Sequence, residues 1–281
     1  MNAVDAAVRV AERLGLSAEE PVLLRSTNNV VAWLRPLMIV AKIGVGQRRV
    51  FQTEVSVASE LDDLGGPVVP PAPECPAVVH SHGGFDVTFW RYCPQPPDVD
   101  IPGEHVGTAL KCLHDNCAKL STALRATLPS YLKELRSVAD LLQDVGRLSA
   151  LPAADRHLLI RAFDHLWKRV QLSSDVHPHV VIHGAPHPYN VLLVDGQPRF
   201  IDFETTSVGP VEWDLAHTSP ETVRNYAGAV DARLLDICRD LVRVKTAAWC
   251  WADVHRGDLR DHAEMHLAHL KKNVRWRSDD D

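Results

Sequence analysis

The chain has 281 residues, of which 46% are hydrophobic and 23% charged, with a formal net charge of −6. That length suffices to bury a core in one large domain or two small lobes, and the composition is that of an ordinary globular protein. The acidic balance, mixed along the chain, argues against a nucleic-acid partner. No stretch approaches the roughly 18 to 20 apolar residues needed to span a membrane.

The opening MNAVDAAVRVAERLGL sets Val4, Val8 and Ala11 at helical spacing and predicts a short amphipathic helix. Asp5, Arg9 and Glu12 interrupt it where a signal peptide needs an unbroken apolar segment, so the expected compartment is the cytoplasm. Short β-rich runs follow: PVLLRSTNNVVAWL, PLMIVAKIG and FDVTFWRYC. Between them a helix is expected from Val50 to Leu64, stopped by Gly65-Gly66-Pro67. His80 and His82 fall in a hairpin before Gly83-Gly84, and the proline-rich CPQPPDVDIPG reads as a hinge or linker.

Beyond it the pattern turns helical. Val106, Leu110, Leu113, Cys117, Leu120 and Leu124 make one apolar stripe, and Leu159, Phe163, Leu166 and Val170 make a second. The tail from Asp231 to about Lys272 is helical again, with Asp231 as its N-cap. The six cysteines form no CxxC pair and read as reduced thiols. Histidines 262, 266 and 269 follow helical spacing and read as a solvated helix face rather than a metal site.

One β-rich island, HVVIHGAPHPYNVLLVDGQPRFIDFE, interrupts the helical half. Asp195-Gly196 is a strong hairpin signal, and pairing VLLV with PRFI sets Asn190 and Asp202 opposite each other within about a residue. An amide oxygen and a carboxylate at the mouth of a hairpin suit a hard divalent cation that bridges nucleotide phosphates. Neither GxGxxG nor GxxxxGK occurs, which excludes the Rossmann and P-loop solutions.

HGAPHPYNVL (His183 to Leu192), IDFE (Ile201 to Glu204) and GPVEWDLA (Gly209 to Ala216) resemble the aminoglycoside phosphotransferase and choline kinase-like family. The resemblance implies an α+β, bilobal protein-kinase-like fold: residues 1–91 as a small sheet-plus-helix lobe and residues 92–281 as a larger, mainly helical lobe. It implies ATP and Mg2+ as cofactors and a small-molecule hydroxyl as the phosphoryl acceptor. In that pattern Lys42 positions the phosphates and Glu54 orients Lys42. The loop Ser26, Thr27, Asn28 and Asn29 offers backbone N–H groups to phosphate, and Arg91 and Tyr92 belong to the segment whose backbone holds adenine. Asn190 and Asp202 hold the metal, and His187 lies near the γ-phosphate. Asp214 is expected to brace the site or a helix N-terminus, with a place facing the substrate as the alternative.

The sequence departs from the family at one decisive place. The third residue of the catalytic loop, where a carboxylate accepts the acceptor hydroxyl's proton, is Ala185. Loss of a general base is typically worth about 10² to 10⁴ in rate. Three readings are therefore open: phosphoryl transfer in which another group such as His187 substitutes, a catalytically silent nucleotide-binding protein, and a purely structural fold without nucleotide, which Lys42 and Asp202 failing to converge would favour.

Overall fold

The computed structural model describes residues 2–96, 99–174, 177–255 and 259–272, so Pro97 and Asp98 of the expected linker lie outside the described residues. The chain forms two compact units, each discontinuous in sequence. The first holds Met1–Leu128, Ala185–Thr206 and Ser219–Ala227; the second holds Pro129–Gly184, Ser207–Thr218 and Gly228–Asp281.

The first unit opens with α1 (Ala3–Arg13), started by a capping box. Asn2 Oδ1 accepts the Asp5 N–H at 2.9 Å and the Asp5 carboxylate accepts the Asn2 N–H at 3.1 Å. Its buried face is Ala6, Ala7, Val10 and Ala11, while Val4 and Val8 flank it half-buried. The expected stripe is thus rotated, because the small alanines let the helix lie close to the sheet.

That sheet is built from β1 (Glu20–Ser26), β2 (Val30–Arg35), β3 (Ile39–Gly44), β4 (His80–His82) and β5 (Phe85–Arg91), with α2 (Arg48–Asp63) inserted after β3. The strands run antiparallel in the order β1-β2-β3-β5-β4. Alternation divides the residues between two faces. Ala32, Leu34, Ala41, Ile43, Val87 and Phe89 pack with α1, which leaves Val31, Trp33, Val40, Lys42 and Trp90 to the other face. Helix α3 (Gly103–Cys117) follows, then α4 (Thr122–Arg125). The predicted stripe is buried throughout, but it does not ride on one helix. The chain leaves helical geometry after Cys117, and Ser121 Oγ recaps it by accepting the Leu124 N–H at 3.2 Å.

The second unit begins with α5 (Leu132–Gln143), α6 (Ala153–Ser174) and β6 (Val180–Ile182). The chain then returns to the first unit as the hairpin β7 (Val191–Val194) and β8 (Gln197–Phe200), whose turn residues Asp195 and Gly196 both have positive φ. Strand β9 (Ser207–Gly209) pairs with β6, and α7 (Val211–Leu215) follows in the second unit; α8 (Pro220–Arg224) packs on α3 in the first. Helix α9 (Ala232–Ala252) starts at Asp231, which caps the N–H groups of Arg233 and Leu234 at 2.8 and 2.9 Å. It and α10 (Leu259–Lys272) make up the helical tail. Leu135, Leu159, Phe163, Trp213 and Leu241 lie in the core of this unit. No described helix is long and apolar enough to cross a membrane.

Candidate active site

Lys42 stands near the end of β3, in a cross-strand row with Val31 on β2 and Thr88 on β5. It is 7% exposed, with Nζ 5.5 Å from the Phe51 ring centroid. A buried ammonium needs acceptors, and this one has four. Nζ donates to Glu54 Oε1 and Oε2 at 2.8 and 2.9 Å and to Asp202 Oδ1 at 2.8 Å, and it lies 2.7 Å from Glu204 Oε1. Glu54 comes from the buried face of α2, and Asp202 and Glu204 come from the turn after β8. Three carboxylates around one lysine leave the cluster with a net charge of −2 when all are ionised.

The hairpin places the other end of the site. The Ile201 N–H donates to the Asn190 carbonyl at 3.0 Å, continuing the ladder in which Val191 pairs with Phe200. Asp202 is therefore the first residue beyond the pair, and its φ of 68° and ψ of 61° are left-handed. A non-glycine residue held there stores local strain, a feature concentrated at functional sites. On the other strand Asn190 Nδ2 donates to the Ala185 carbonyl at 3.0 Å. The loop's entry is fixed in the second unit: the buried Asp214 carboxylate accepts the N–H groups of His183 and Gly184 at 2.8 and 2.7 Å. Asp214 is thus a brace of the loop backbone, one of the roles the sequence left open for it.

Beside Lys42 lies a cavity of about 430 Å3. Leu24, Val31, Val40, Val69, Leu192 and Ile201 give it apolar walls, while Lys42, Glu54 and Asp202 give it a charged end. Arg91 and Tyr92, expected to carry the base, line it together with Trp90 and Cys93. Tyr92 is fixed by stacking on Trp33, with ring centroids 4.1 Å apart, and by donating its N–H to the Met38 carbonyl at 2.9 Å. Gln95, unremarked in the sequence, fastens this edge to β7. Its Oε1 accepts the Leu193 N–H at 2.9 Å and its Nε2 donates to the carbonyls of Leu193 and Cys93, both at 3.2 Å.

Of the expected phosphate loop, Ser26, Thr27 and Asn28 are exposed and do not line the cavity. Asn29 reaches the cluster instead, donating Nδ2 to Glu204 Oε1. Gly44 makes room for it, since a methyl group there would lie 2.8 Å from Asn29 Oδ1. His187 is half-buried in edge contact with Tyr189 and is not on the cavity wall, whereas Tyr189, 79% exposed, is. Glu204, Tyr189 and Arg25 were not singled out from the sequence for any role at the site, although Glu204 carried a signal as the second acid of IDFE; Asn29 was expected only to offer its backbone to phosphate.

Burial alone would depress the Lys42 ammonium, but Glu54, Asp202 and Glu204 outweigh it and hold its pKa well above the ordinary lysine range. Burial pushes the Glu54 carboxyl up to about 8 against the pull of Lys42, with Asp202 and Glu204 adding to the rise. A further cation would relieve this imbalance. Glu54, Asp202 and Glu204 each offer an oxygen within 4.8 Å of the others. Asn190 Oδ1 is buried without a hydrogen-bond partner among the described residues, a state that costs about 1 to 3 kcal/mol if nothing binds the oxygen. These hard oxygen donors suit a divalent cation such as magnesium.

The sequence model of the phosphotransferase enzyme family (APH) matches residues 42–241. No curated protein sequence matches the chain. Among solved structures, the chain is similar to the amicoumacin kinase hAmiN in complex with AMP-PNP, Ca2+ and Ami, at 13% identity and a TM-score of 0.72, over 95% of this chain and 93% of that one. It is also similar to spectinomycin phosphotransferase APH(9)-Ia in complex with ADP and spectinomycin, at 16% identity and a TM-score of 0.66, over 98% and 95%. A choline/ethanolamine kinase family protein from Mesorhizobium loti aligns at 17% identity and a TM-score of 0.63, over 90% and 87%. The fold is therefore the protein-kinase-like α+β fold of these enzymes.

Proposed function

Because the chain belongs to the phosphotransferase enzyme family, we propose that it transfers the γ-phosphoryl group of ATP to a hydroxyl of a small molecule such as an antibiotic, an amino alcohol or a sugar. The observation that carries this reading is the buried Lys42, held by Glu54, Asp202 and Glu204 at the charged end of an apolar cavity. An apolar slot ending in fixed charges suits a base at one end and phosphates at the other.

In this reading Lys42 positions the α- and β-phosphates and Glu54 orients Lys42. The backbone from Arg91 to Cys93 holds the base. Asn190 and Asp202 hold magnesium, which when bound supplies charge neutralisation at the phosphate oxygens. Residues 1–91 act as the nucleotide-covering lobe, and residues 92–281 carry the loop, the metal ligands and the acceptor-binding helices. The acceptor oxygen attacks the γ-phosphorus as the bond to the β–γ bridging oxygen breaks, and His187 takes the hydroxyl proton in place of the carboxylate missing at position 185. Positioning and electrostatics carry most of the barrier lowering in such transfers.

Ala185 also favours a second reading, a nucleotide-binding protein that transfers nothing. Titration calorimetry of the full chain with ATP, with and without magnesium, followed by ADP release across a panel of hydroxyl acceptors, separates the two. Magnesium-dependent micromolar binding with acceptor-stimulated ADP release supports transfer. Binding without stimulation supports the silent reading, and no binding overturns both.

A further inference from the structure

Strand β1 pairs with β2 in regular register from Glu20 opposite Arg35 to Leu23 opposite Ala32, but the next pair is Arg25 opposite Val31. Leu24 is the extra residue of a β-bulge. The consequence is a change of face. Without the bulge Arg25 would stand opposite Val30. With it, Arg25 shares a cross-strand row with Val31 and Lys42, and directly paired residues share a face. Bulges commonly re-aim a side chain beside a functional site. Here both Leu24 and Arg25 line the cavity.

Arg25 is exposed and makes no ion pair or side-chain hydrogen bond with any described residue. Lys42 is in the opposite situation, since an ammonium has three hydrogens and four carboxylate oxygens already surround Nζ. Arg91, the remaining base on the cavity wall, pairs with the core residue Ile39 and so falls on the other face of the sheet by register. Arg25 is thus the uncommitted cation on the Lys42 face, two strand spacings or about 10 Å from Lys42. A guanidinium offers a fork of N–H donors matched to phosphate oxygens.

From this we infer that Arg25 is a phosphate ligand of the bound nucleotide, aimed by the β1 bulge. The inference rests on the nucleotide reading above and adds a residue to it. The competing role is that of a charge guarding an exposed edge strand against pairing, which would be indifferent to what the cavity holds.

The test is calorimetric titration of the full chain and of Arg25→Met with ATP, ADP, AMP and adenosine in magnesium. The expected result is a loss for ATP of about tenfold or more, the size of a charge-assisted hydrogen bond, shrinking through ADP and AMP, with adenosine unchanged. Equal ATP affinity in wild type and Arg25→Met overturns the assignment, as does an equal loss for ATP and adenosine. A wild-type chain that binds none of the four overturns the nucleotide reading itself, and the assignment with it.

Discussion

Asn190 donates Nδ2 to the backbone carbonyl of Ala185, and this bond turns its buried Oδ1 away from every hydrogen-bond donor among the described residues. The residue that lacks the expected carboxylate therefore still orients the expected metal ligand, and does so through its backbone. A side-chain change at 185 leaves that bond in place. Ala185→Asp should accordingly raise acceptor-dependent ADP release by at least about tenfold if the missing base limits the rate. No gain would mean that the loop serves binding alone. Asn190→Leu should erase the difference between ATP affinities measured with and without magnesium, and a difference that persists would refute the metal assignment.

Removing Lys42 would leave Glu54, Asp202 and Glu204 within 4.8 Å of one another without the ammonium that now lies among them. Breaking a buried charge pair costs about 3 to 5 kcal/mol, so Lys42→Met should lower the melting temperature markedly at pH 8. The sign of its pH dependence follows from Glu54, whose folded pKa of about 8 lies above the ordinary carboxyl value of 4.5. Between those values the folded chain binds more protons than the unfolded one, so stability falls as pH rises. Loss of Lys42, which opposes the rise, steepens that slope. The variant should recover toward wild type as pH is lowered from 8 to 5, and millimolar magnesium should restore part of the loss at pH 8. A deficit constant in pH and indifferent to magnesium would count against the carboxylate cluster as described.

The hairpin and the Asn190–Asp202 juxtaposition were legible because Asp195-Gly196 forces a two-residue turn, and a two-residue turn sets the register. The convergence of Lys42 with Glu54 was not readable from either residue alone and entered only through the family resemblance. The bulge at Leu24 was illegible for a physical reason. Leu23 and Leu24 are both apolar and both exposed, so the hydrophobic pattern carries no parity from which a one-residue slip could be seen. The break after Cys117 was hidden because the apolar stripe continues across it, and all six of its residues are buried regardless.

Asp214 offers a test of the loop's anchoring. Its carboxylate, fully buried, takes two backbone N–H groups, while Trp213 Nε1 donates to the Gly184 carbonyl at 3.0 Å, fixing the peptide on both sides of a glycine with φ of 94°. An asparagine can present one acceptor and must turn its amide hydrogens toward the other N–H. Asp214→Asn should therefore lower stability by about 3 kcal/mol, seen as a reduced urea midpoint at unchanged slope. An unchanged midpoint would show that the brace is dispensable.

The last prediction concerns α10. His266 is half-buried and in edge contact with His262 at 5.0 Å between centroids. Burial lowers its pKa to about 4, with His262, Arg243 and His269 adding repulsion. A histidine depressed in the fold stays neutral there while it titrates near 6.5 in the unfolded chain. Its contribution is therefore present above pH 6.5 and is lost as pH falls through about 4. Allowing for its partial exposure, the effect is about 1 to 2 kcal/mol, or roughly 2 to 8 °C in melting temperature. His266→Leu should match or slightly trail wild type at pH 7.5 and exceed it by that margin at pH 4.5. Parallel melting curves for the two proteins across this range would show instead that His266 is solvated and takes up its proton without cost.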